Sequence, residues 1–136
     1  MEPVSSRSPV IEAKTLAATL ARWCHEKKGA DVVVLGVNER LGLADYFVLV
    51  TGLNRTHVRA LENELHVRAK ALGERHHPIE GAAMHWWVVL DFDDVVVHLL
   101  QPEAREYYDL DRLYADCPRL DWEALPVADD LHAAEA

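Results

Sequence analysis

Two pairs of β-branched runs, set around one long amphipathic segment, constrain this chain more tightly than any other feature. The first pair is Val32 to Val37 and Tyr46 to Val50, and the second is Trp86 to Leu90 and Val95 to Leu100. Between them, Val58, Leu61, Leu65, Ala69 and Leu72 recur at helical spacing on one face, and Gly73 is a natural stop. Runs of this length and composition read as strands. The connections Asn38 to Leu43 and Asp91 to Asp94 are short enough to make the strands of each pair neighbours, the second pair a hairpin. His77 to Glu80 adds a short strand closed by Gly81. A first helix follows from Ala13, Leu16, Ala17, Leu20 and Trp23, with Ser8 as cap and Pro9 at its first position, where a missing N–H costs nothing. A last, short helix is predicted from about Ala104 to Ala115. The second strand, second helix and third strand form a right-handed crossover. The expected fold is α/β, a mixed five-stranded sheet with packed helices.

The 136 residues make one domain of ordinary size, and a half-apolar composition with only six Gly and six Pro supplies its core. Residues 1–8, rich in Ser and Pro, read as a flexible N-terminus, 9–120 as the domain and 121–136 as an acidic, disordered tail. The formal charge is −9, but 121–136 holds five acids and no Lys or Arg, so the body is only mildly acidic. That balance argues against general binding to nucleic-acid backbone and fits a basic partner. No apolar run is long enough to span a bilayer, and the first residues lack a basic and then apolar pattern, so a cytoplasmic location with no membrane partner is expected. Cys24 and Cys117 have no paired spacing and read as reduced, inert thiols.

Three constellations carry possible chemistry. In Asp91-Phe92-Asp93-Asp94, the carboxylates of Asp91 and Asp93 would share one side of an extended strand, as a magnesium-dependent nucleotidyltransferase requires. Against this, Asp residues make hairpin turns, and the only candidate phosphate cradle, Thr51-Gly52-Leu53-Asn54, has one glycine and no lysine. His76, His77, His85 and His98 cluster in the second half, but the adjacent pair diverges on an extended chain, so no metal site is expected. His98 interrupts an apolar strand and reads as a satisfied core group. Trp86 and Trp87 face opposite sides of a strand, and with Phe92 at the tip they compose either a protein-interface hot spot or two buried rings.

Several ordered strings go further. Asp31-Val-Val-Val-Leu35, Leu43-Ala-Asp-Tyr-Phe-Val48, Thr51-Gly52, Arg55-x-His57-Val58-x-Ala60, Glu80-Gly81, Trp87-Val-Val-Leu-Asp91, Asp94-Val-Val-Val-His98 and Arg105-x-x-Tyr108-Asp-Leu110 occur in sequence. Together they resemble the ribosomal silencing factor, or Iojap-like, family over about residues 10 to 118. The resemblance implies a nucleotidyltransferase-like fold without catalytic function or cofactor. It also implies a homodimer, and a partner in the large ribosomal subunit bound through universal large-subunit protein fourteen. Such binding blocks small-subunit joining and lowers translation when nutrients run short, and a part in large-subunit biogenesis is implied too. Direct sequence-specific nucleic-acid binding is not. Carried onto this chain, Trp87 and Phe92 are the expected apolar partner contacts, with Asp91 and Asp94 beside them. Asp45, Glu80, His98, Arg105 and Tyr108 match recurrent positions, either structural or partner-binding. Asp93 stands where the family generally has Gly, so a tip needing positive φ would be strained and a different turn is allowed for. Asp111 replaces the usual Glu, and Tyr114 the usual Trp.

Overall fold

Strands β2 (Tyr46–Thr51) and β5 (Val95–Leu100) run parallel through the middle of the computed structural model, which describes residues 11–73 and 78–128. Around them, β1 (Ala30–Gly36), β3 (Ile79–Glu80) and β4 (Trp87–Asp91) complete a five-stranded sheet in the order β1-β2-β5-β4-β3. β1 with β2 and β4 with β5 are the two expected antiparallel pairs. The antiparallel pairings β5–β4 and β4–β3 make β3 parallel to β2, yet β3 lies at the far edge with two strands between them.

Both central strands are buried on two faces, and each face has its own apolar cluster. On one, α1 (Ala13–Glu26) and α3 (Arg55–Ala71) cover Val48, Val50, Val95, Val97 and Leu99. On the other, Leu35, Phe47 and Leu49 meet Leu110 and Cys117 from the C-terminal segment. α3 starts where Asn54 accepts a hydrogen bond from the His57 N–H at 2.9 Å and stops before Gly73, whose φ is 97°. At Gly81, φ is 86° and a Cβ would fall 2.1 Å from the Trp87 carbonyl, so only glycine lets β3 and β4 close there.

Several boundaries differ from expectation. α1 begins at Ala13 after an extended Glu12, because Ile11 is already buried in the core; Ser8 and Pro9 lie outside the described residues. The connection after β1 holds a single helical turn, α2 (Asn38–Leu41), closed by Gly42 at φ 71°. The single helix expected over 104–115 is two, α4 (Pro102–Tyr108) and α5 (Leu110–Leu113), hinged at Asp109 with φ 50°. The hairpin tip keeps the positive φ that Gly would favour: Asp93 sits at 70°, with its N–H donated to Asp91 Oδ1 at 2.8 Å.

The largest correction concerns the segment after Leu120, which is packed as far as Ala128. Gly36 N–H donates to Pro118 O and Leu120 N–H to Val34 O, so the chain pairs along the outer edge of β1. Trp122 is then 8% exposed, donates Nε1 to Val32 O at 3.3 Å and lies under Arg22. The Ala128 N–H reaches Thr19 Oγ1 at 2.8 Å. Apolar anchors outweigh the segment's acidity. The domain boundary expected at 120 therefore lies at least eight residues too early.

Candidate partner-binding face

On β4 the alternation of side chains puts Trp87, Val89 and Asp91 on the face away from α1 and α3. Glu80 on β3 stands opposite Val89, and Val89 opposite His98 on β5, so a row crosses the sheet from an exposed Glu80 at its β3 end. Covering the other end of that face are α4 and α5. Their position is set by Arg105, which donates Nε and Nη2 to the two Asp111 oxygens at 2.8 and 2.9 Å and Nη1 to Thr51 Oγ1 at 3.0 Å. This two-pronged ion pair holds the Asp111 carboxyl below the usual carboxylate range. Gln101 adds a second tie, its N–H to Trp86 O at 3.0 Å and its Nε2 to His85 O at 2.9 Å.

The result is an aromatic cluster at one end of the sheet. Tyr108 lies 4.4 Å from Trp87 between ring centroids, 5.6 Å from Trp86 and 5.0 Å from Tyr107. Below them, Trp87 donates its indole N–H to His98 Nδ1 at 3.1 Å, and His98 packs on Phe47. Burial lowers the His98 pKa to about 4, so this imidazole is neutral near pH 7. Tyr107 is 74% exposed and Met84 73%, and Trp86 and Tyr108 also reach solvent. Large rings that are fixed below and exposed above suit recognition of a protein surface.

The expected residues do not all gather here. Trp87 is half-buried in the cluster and Tyr108 covers it. Phe92 is 3% exposed, inside the core that α1 and α3 cover, because alternation along β4 puts it on the same face as Val88 and Leu90; its ring is not available for contact. Asp94 gives its carbonyl to the Asp45 and Tyr46 N–H groups at 2.7 and 3.1 Å, at the start of β5. That is a strand length, about 20 Å, from the end that carries Trp87. Asp45 accepts from Asn38 Nδ2 at 2.8 Å and holds the β1–β2 connection. Asp91 is exposed and caps the turn, Glu80 is exposed on the edge strand, and His98 and Arg105 position the cluster from beneath. Tyr107 and Met84 escaped the sequence reading; the adjacent tyrosines Tyr107 and Tyr108 after a predicted strand were the available signal.

The chemical alternatives find little in this geometry. Asp91 spends its carboxylate on the Asp93 N–H, and the start of α3 is capped from within by Asn54 and by His57 Nδ1, which accepts the Leu53 N–H at 2.9 Å. Among the described residues, no three His, Cys, Asp or Glu side chains converge as a metal site requires; His76 and His77 lie outside them. Cys24 is buried, and desolvation pushes its thiol far above the ordinary range. No helix among the described residues is long and apolar enough to cross a membrane.

Known proteins match along most of this chain. The family described as ribosomal silencing factor during starvation matches residues 10–136. A ribosomal silencing factor of Bacillus subtilis is 32% identical over 111 residues, covering 82% of this chain and 94% of the relative. The mouse protein named mitochondrial assembly of ribosomal large subunit protein 1 is 33% identical over 107 residues, 76% of this chain and 47% of that one. A crystal structure of a Chromobacterium violaceum protein superposes with a TM-score of 0.74 at 28% identity, covering 87% of this chain and 97% of that chain. With the β-branched pairs, the long helix between them and the ordered strings all accounted for by one match, the chain belongs to the ribosomal silencing factor family.

Proposed function

We propose that this protein represses translation by binding the large ribosomal subunit through universal large-subunit protein fourteen, so that the small subunit cannot join. The observation that carries the reading is the exposed aromatic cluster Trp86, Trp87, Tyr107 and Tyr108, rigidly seated on Arg105, Gln101 and His98. A standard protein interface buries about 800 Å² per partner with a few aromatic anchors at its centre. Glu80 and Asp91 at the margin of the same face suit a basic protein.

Steric exclusion needs no catalysis. A body of this size has a radius of gyration of about 13 Å and projects roughly 30 Å from any surface that it occupies, enough to clash with a rigid second subunit. Lowered translation under nutrient limitation and a part in large-subunit biogenesis follow from the same docking, and the mouse relative's name supports the latter. The protein acts in the cytoplasm and as a homodimer when not on the ribosome, and it is not an enzyme. In a sucrose gradient it is expected with free large subunits and absent from joined ribosomes. Persistent sedimentation with joined ribosomes would refute subunit exclusion. Sedimentation of the free protein as a monomer at all concentrations would refute the dimer.

A further inference from the structure

Helix α3 carries a second surface that the aromatic face does not use. Arg55, Arg59, Asn63, His66 and Lys70 are all exposed. At 3.6 residues per turn they fall within an arc of about 80°, a stripe about 22 Å long. No acid lies inside that arc. Of the helix's two acids, Glu62 borders the arc and Glu64 lies on the opposite side, and both are engaged: Glu62 pairs with His85 Nε2 at 2.8 Å, and Glu64 with Arg68 at 3.4 Å and Lys27 at 3.6 Å. Neither Arg59 nor Lys70 has an acidic partner among the described residues. In a chain of net charge −9, this helix holds four Arg and Lys against two Glu, so its charge opposes that of the whole.

The stripe also adjoins the aromatic face. Arg55 donates Nη2 to Ala83 O at 3.2 Å, which ties the start of the stripe to the segment carrying Met84 and Trp86. A partner seated on the rings therefore brings its surroundings within reach of α3.

We propose that this α3 stripe grips the phosphate backbone of RNA while the aromatic face meets protein. The inference rests on docking to the large subunit, where RNA phosphates border protein surfaces. The Arg55 and Arg59 guanidiniums, one turn apart, and the Lys70 ammonium, about three turns further along, supply donors to phosphate oxygens at the two ends of the stripe, and Asn63 adds a neutral one between them. Such contact is independent of sequence and steep in salt. The acidic remainder of the molecule repels RNA elsewhere, so the stripe sets orientation as well as adding affinity.

The test is a double variant, Arg59→Gln with Lys70→Gln, whose exposed positions leave the thermal melt unchanged. Its affinity for purified large subunits is measured across a salt series, beside wild type and Trp87→Ala, together with its binding to an RNA duplex of about 16 base pairs at low salt. The slope of log affinity against log salt is expected to fall by about 0.7 to 0.9 per lost contact in the double variant. It stays unchanged in Trp87→Ala, and duplex binding weakens in the double variant alone. An unchanged slope overturns the inference, whatever the duplex does. A reduced slope without any duplex binding assigns the stripe to an acidic protein and overturns it too. If wild type binds the duplex through the stripe but never binds large subunits, the ribosome reading fails while the stripe's affinity for RNA stands.

Discussion

Trp87 and His98 share one hydrogen bond across β4 and β5, indole Nε1 to imidazole Nδ1 at 3.1 Å, and it joins the candidate face to the core. The bond requires an unprotonated Nδ1, which leaves the proton on Nε2, a buried atom with no hydrogen-bond partner among the described residues, so the expected satisfied core histidine is satisfied on one nitrogen only. Protonating Nδ1 would break the bond and place a charge among Phe47, Trp87 and Val96.

Acid is therefore expected to destabilise the fold through His98. Its folded pKa, about 4, lies below the unfolded value of 6.5, so the unfolded state binds the extra proton first. Stability is full above 6.5, falls as pH drops towards 4 and levels off below, a total of about 3 kcal/mol. Thermal melts across that range should show a smaller loss in His98→Gln, which keeps an acceptor without the titration. An identical pH slope in the variant would refute the assignment.

The exposed rings separate binding from folding. Tyr107→Ala and Trp86→Ala are expected to weaken binding to large subunits by about 1 to 2 kcal/mol each with melts close to wild type. Trp87→Ala should lower both, because it also orphans His98 Nδ1. Equal melts and undiminished binding in all three variants would remove the face from the interface.

Arg105 supports the rings from beneath through its bonds to Asp111 and Thr51. Arg105→Lys keeps the charge but loses the paired bonds to Asp111 and, with them, the order of α4. A stability loss of about 2 kcal/mol is expected in urea unfolding, accompanied by weaker large-subunit binding. Asp111 is held below its ordinary pKa of 3.8, so its contribution exists above that value and fades as pH falls further; Arg105→Lys should flatten this low-pH loss.

The segment after Leu120 is expected to behave as part of the domain. Trp122→Ala should cost about 3 kcal/mol in urea unfolding, as the loss of a buried indole does. A chain ending at Leu120 should lose at least as much and expose the flank of α1 that Trp122 and Ala128 cover. A truncated chain with an unchanged midpoint would return the segment to a dispensable tail.

Much of this was legible in local pattern. The strand Val95–Leu100, the span of α3, the hairpin and the family all follow from runs, spacing and strings, while the short strand expected over His77 to Glu80 is found at Ile79–Glu80, with His77 outside the described residues. The misplaced elements depend on long-range partners. Net acidity suggested a loose C-terminus, yet Trp122 outweighs it once Val32 O and Arg22 are supplied from elsewhere. A clue was present in α1, whose Ala17, Ala18, Thr19 and Ala21 are buried around most of the helix, so more than a sheet had to cover it. Asp109 breaks the last helix at positive φ, which asparagine and aspartate tolerate without announcing it in sequence.

The candidate site divides in the same way. Sequence alone determined which residues were aromatic, acidic or β-branched, because those are properties of single residues, and period-two alternation along β4 groups Phe92 with Val88 and Leu90 on the core face. Only the tertiary structure decided that Trp86, expected to face away from Trp87, lies just ahead of β4 and joins it against Tyr108, that Asp94 lies a strand away from Trp87, and that Tyr107 completes the cluster. Those outcomes depend on which end of β4 each residue occupies and on where Arg105 anchors α4. Both are fixed by contacts between segments far apart in the chain, which no local pattern encodes.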